Sequence, residues 1–83
     1  MNERLKFEGK RALLRNEAQR HERRIQGLVR SLRDLLDPTE QAAALEAEQI
    51  RDQAFELAAV QGEYRAVCEE IAAIEKILGP RRP

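Results

Sequence analysis

The sequence predicts an all-α fold: an antiparallel two-helix coiled-coil hairpin that dimerises into a four-helix bundle. Three observations carry this. Two long amphipathic stretches of similar length flank a single break, Asp37-Pro38-Thr39-Glu40. Each stretch repeats apolar residues at alternating spacings of four and three, the mark of a heptad seam. The 83 residues are 4% aromatic and 36% charged, with Ala, Leu, Glu and Arg prominent, a composition of long helices. A chain of this length forms one domain at most.

The first helix is expected over about residues 2–36. Asn2 suits its N-cap. Its seam reads Phe7, Arg11, Leu14, Ala18, His21, Ile25, Leu28, Leu32 and Leu35, with Arg11 and His21 as polar interruptions. Near the break the stripe widens as Val29 and Leu36 join it. Pro38 disfavours the α conformation at Asp37 and so ends this helix.

The turn is expected at 37–38 and the second helix over about 38–78. Asp37 suits its N-cap, Pro38 its N1 position, and Glu40 its N3, a capping box with Asp in the Ser/Thr role. Its seam reads Ala43, Glu46, Ile50, Gln53, Leu57, Val60, Tyr64, Val67, Ile71, Ile74 and Leu78, strongest from Leu57 onward. Gly79 suits the helix C-terminus, Pro80 blocks continuation, and 79–83 form a short tail. A single continuous helix would carry Thr39, Ala42, Glu46, Gln49, Gln53 and Glu56 on its seam, a poor core. Two helices with separate phases fit better. A tight turn makes residue i face about residue 75–78 minus i.

Formal net charge is zero, but residues 1–36 carry ten Lys/Arg against five acids and residues 37–83 carry the reverse. Folding at the break lays a +5 helix beside a −5 helix. This favours the hairpin and disfavours basic-on-basic pairing.

A lone hairpin buries one seam, and chains this small often oligomerise to complete a core. Val29, Leu36, Phe55, Ala59, Gly62 and Ala66 are the candidate oligomer or partner interface. Ala is also the best helix former and tolerates exposure, so the argument leans on Phe55 and Gly62, which propensity does not explain. His21 and Gln53, expected diagonally opposite each other, are the candidate polar core layer that sets register. One His and one Cys cannot assemble a metal site within one chain, and no cofactor is expected. Cys68 reads as a small buried side chain; Tyr64 as a core residue with its ring over Arg11 or its hydroxyl at the edge.

Arg20, Arg23, Arg24, Arg30 and Arg33 are the candidate phosphate-binding face. Glu17, Glu22 and Asp34 lie among them and no aromatics interleave for base stacking, so a solvated face is the competing reading. Arg81-Arg82 form a secondary basic patch.

The hairpin plan resembles that of the Rop-like plasmid RNA-binding proteins. The resemblance implies a homodimeric four-helix bundle and nucleic-acid binding by a helix face; it assigns no residue. There is no Gly-rich phosphate loop, no nucleophile with a base and no metal-ligand spacing, so no enzymatic activity is expected. The expected function is a non-enzymatic structural or adaptor protein acting through helix–helix contacts. The alternative is a small nucleic-acid-binding regulator using the Arg face of helix 1. The expected partners are a second copy and a helical protein. A single cysteine and the absence of an apolar span or signal-like segment point to the cytoplasm, with no membrane association.

Overall fold

The computed structural model describes residues 2–79. Among these the fold is all-helical: α1 spans Glu3–Leu35, one 3₁₀ turn spans Ala42–Ala44, and α2 spans Ala47–Leu78. The two long helices pack antiparallel in a hairpin with extents of 63 × 24 × 15 Å.

α1 begins as expected. The Asn2 side chain accepts a hydrogen bond from the Arg4 N–H at 3.0 Å, satisfying one of the free donors of the first turn. α2 ends as expected at Gly79, whose φ of +80° is a conformation only glycine adopts without strain. Pro80, Arg81 and Arg82 lie outside the described residues.

All nine seam residues expected in α1 are buried or half-buried, as are the nine expected in α2 from Ile50 to Leu78. Leu14, Val67, Ile74 and Leu78 form the buried core, with Phe7, Ala18 and Ile71 packed against it. All of these lie in the half of the hairpin remote from the loop. Leu28 is the one buried side chain in the loop half. No described side chain is completely enclosed.

The connection differs from expectation. α2 starts at Ala47, not at Pro38, and Asp37 does not cap it. Instead the Asp37 carboxylate accepts from the Thr39 N–H at 2.9 Å and the Thr39 hydroxyl at 2.7 Å, and the Glu40 N–H donates to the Asp37 carbonyl at 3.1 Å. That closes a β-turn with Pro38 at its second position. Glu40 makes no return bond to Asp37; one of its carboxylate oxygens accepts from the Gln41 N–H. Ala43 and Glu46 are exposed loop residues.

The reason is packing at the other end. Arg4 meets the Leu78 carbonyl, Lys10 meets Glu70, and Arg24 meets Glu56. Residue numbers across the hairpin therefore add to about 80–82 rather than 75–78. In the expected register Leu78 would lie level with the very start of the chain and Ile74 with its first few residues. In the observed register both are buried, 6% and 5% exposed. Each large aliphatic side chain buried contributes about 1.5–3 kcal/mol. The polar and Ala-rich segment 38–46 offers no comparable burial, so it becomes the loop.

Candidate functional site

Two edges run along the hairpin where α1 and α2 meet. On one, Lys10 and Arg24 of α1 pair with Glu70 and Glu56 of α2. On the other, Arg15 bonds Glu75 at 2.8 Å. Arg15 and Glu75 are offset along the axis, but side chains lean toward the N-terminus of their own helix, so in an antiparallel pair these two lean toward each other. In all three pairs the base is on α1 and the acid on α2, as the +5/−5 division predicts. All six side chains are substantially exposed, so each pair contributes roughly 0–1 kcal/mol. Arg4 adds a different contact: its guanidinium donates to the Leu78 carbonyl at 2.9 Å, satisfying an end-of-helix acceptor of α2. No local pattern announces that bond, because its partners are 74 residues apart.

The candidate interface residues occupy two places. Phe55, Ala59, Gly62 and Ala66 follow one another at spacings of four, three and four and lie together on the exposed outer face of α2. Phe55 is 71% exposed. Its ring borders a shallow apolar groove completed by Arg51, Ala54 and Ala58. Arg51 and Ala58 lie four and three residues from Phe55 on the helix surface and Ala54 is its neighbour in the chain; the sequence pattern brings out Ala58 beside Phe55 but not Arg51 or Ala54. Val29 and Leu36 are exposed as well, 39% and 55%, but on α1 near the loop. They share the Arg15 edge, since Arg15, Glu22, Val29 and Leu36 recur every seven residues. The hairpin does not join them to the α2 face.

His21 and Gln53 are both half-buried, and both hold a buried polar atom without a hydrogen-bond partner, His21 Nε2 and Gln53 Oε1. The nearest acid to that imidazole nitrogen is Glu17, 3.6 Å away one turn earlier. The two residues are not opposite each other. In the observed register His21 is level with about residues 59–61 and Gln53 with about 27–29, some seven residues or roughly 10 Å apart. Each interrupts a separate layer, a direct consequence of the longer loop.

Tyr64 is half-buried on the seam, as expected of a core residue. Hydrogen bonding to the Cys68 side chain one turn on, then negative charge on Cys68 and on Glu22, push the phenol above its ordinary value of 10.0. Cys68 is a half-buried free thiol.

Of the arginine face, Arg24 is committed to Glu56. Arg20, Arg23, Arg30 and Arg33 are exposed and form no ion pair with any described residue. Arg81 and Arg82 lie outside the described residues. Among the described residues no group of three or more His, Cys, Asp or Glu side chains is placed to hold a metal ion. No helix among them is long and apolar enough to cross a membrane.

No protein-family model, curated protein sequence or solved structure matches this chain. The functional reading therefore rests on the hairpin's own surfaces.

Proposed function

We propose that this chain is a non-enzymatic structural or adaptor protein that self-associates and binds a helical protein through its exposed helix faces. The supporting observation is the mismatch between a thin core and an uncovered apolar face. Five described residues are buried, while Phe55 stands 71% exposed beside Ala59, Gly62 and Ala66. A soluble hairpin gains by covering such a face, because about 25 cal/mol is recovered per Å² of apolar surface removed from water. A homodimer with four helices is the simplest assembly that does so.

Light scattering at micromolar concentration tests this directly. Phe55→Glu is expected to shift a dimer toward monomer and to weaken capture of a helical partner. Helicity should stay unchanged, since Phe55 is outside the hairpin core. A variant that keeps both its mass and its partner binding would remove the basis of the reading.

A second reading is favoured by one observation: Arg20, Arg23, Arg30 and Arg33 form no ion pair among the described residues and stand on an exposed helix face. In this reading the face tracks nucleic-acid phosphates, and affinity falls steeply with salt. Arg23→Glu combined with Arg30→Glu should abolish binding to RNA or DNA at low salt without altering helicity. Undiminished binding would rule the face out.

A further inference from the structure

The outer face of α2 carries a charge pattern symmetric about a glycine. Glu48, Phe55, Gly62, Glu69 and Lys76 recur every seven residues along the outer face of the helix, a stripe that drifts by only about 20° per heptad, and are all exposed. Gly62 is at its midpoint. Glu48 lies fourteen residues before it and Lys76 fourteen after. Neither forms an ion pair with any described residue. Ala58, Ala59 and Ala66 surround the midpoint at helical-neighbour spacing.

We infer that a second copy of this chain covers this face, with the two α2 helices antiparallel and a two-fold axis passing at Gly62. The inference rests on the self-association proposed above and names its face, partner and register. About that axis residue j meets residue 124 minus j of the other copy. Glu48 of each copy then falls level with Lys76 of the other, so both ends of the contact carry opposite charges. Gly62 meets its own counterpart, and the flanking alanines let the backbones approach closely. Phe55 falls level with the other copy's Glu69, and its ring covers the aliphatic stem there and the adjacent Ala66. The contact spans about 42 Å of helix. A parallel arrangement of the same faces would set Glu48 beside Glu48 and Lys76 beside Lys76. Because the face points away from α1, the four helices lie in a row, α1–α2–α2–α1, rather than in a square bundle.

Gly62 itself supplies a clean probe. A Cβ built there meets no atom within 4 Å, so a side chain at this position leaves the single hairpin undisturbed. Gly62→Leu should therefore dissociate the dimer while the helices persist. Glu48 and Lys76 also sit in the first and last turns of α2, where the helix dipole favours their charges. A charge swap separates the two roles. Glu48→Lys alone and Lys76→Glu alone should each weaken dimerisation roughly tenfold at low salt. The double variant Glu48→Lys/Lys76→Glu should recover it, because the pair is restored with reversed sign. A dipole role alone would make the double variant worse than either single one.

Sedimentation equilibrium of the wild type, Gly62→Leu and the three charge variants decides. A wild-type dimer lost in Gly62→Leu and rescued in the double swap is the expected result. A dimer indifferent to Gly62→Leu, or a double variant weaker than both singles, overturns this face and leaves self-association standing. A monomeric wild type overturns both.

Discussion

Asp37 shows how one residue can be read correctly for chemistry and wrongly for place. An Asp before a Pro with a Glu three residues later is a helix-start signal, and Asp37 does accept backbone and side-chain hydrogen bonds. It spends them on Thr39 within a β-turn. Those bonds, the Thr39 N–H first and its hydroxyl second, hold the Asp37 carboxyl below its ordinary 3.8 against a small opposing effect of burial. Since the folded value is lower than the unfolded one, the unfolded chain binds the extra proton more readily in acid. The turn's contribution is therefore complete above the ordinary carboxylate range and is lost as pH falls through the folded value. An NMR titration of the Asp37 carboxyl should show a midpoint under 3.8, with the Thr39 amide shifting in parallel. In Asp37→Ala the Thr39 amide should no longer titrate in that range. His21 and Gln53 make the complementary case. Their polar placement on a seam is visible in the heptads, but their mutual position depends on a register that no local pattern contains.

The helices themselves are almost fully legible. Seam residues from Phe7 to Leu35 and from Ile50 to Leu78, the Asn2 cap and the Gly79 end fall where spacing and chemistry put them, because each depends on neighbours within a turn or two. The start of α2 does not, because it is decided some thirty residues away by the burial of Ile74 and Leu78. That makes the terminal half of α2 the place where a core substitution should register most. Ile74→Ala should cost about 2–5 kcal/mol in urea denaturation. Ile77→Ala, three residues along but 60% exposed, should change stability by less than about 0.5 kcal/mol. Equal losses at the two positions would mean that Ile77 is covered in solution by something beyond the hairpin.

For the whole molecule, the sequence predicts the hairpin and the opposed charge of its arms, and both are present. The interface is legible only in part. Phe55, Ala59, Gly62 and Ala66 share a face, whereas Val29 and Leu36 fall on a different edge. Sequence spacing relates residues on one helix; it does not say which faces of two helices end up side by side. Self-association carries a thermodynamic signature at this scale. If folding and dimerisation are linked, the unfolding midpoint measured by circular dichroism should climb as protein concentration is raised from micromolar to hundreds of micromolar, by mass action. A midpoint independent of concentration would mark a hairpin that stands alone.

The uneven packing along the hairpin has a mechanical side. The first residues of α1 and the last of α2 are tied at one pole by Arg4 and the Leu78 carbonyl, next to the layers built from Phe7, Leu14, Ile74 and Leu78. A pull on the two ends would open the pair like a zipper, loading one layer at a time. It would meet the best-filled layers first and the sparse layers near the loop last. Resistance is thus concentrated where tension arrives, and once those layers yield, little remains to halt the rip.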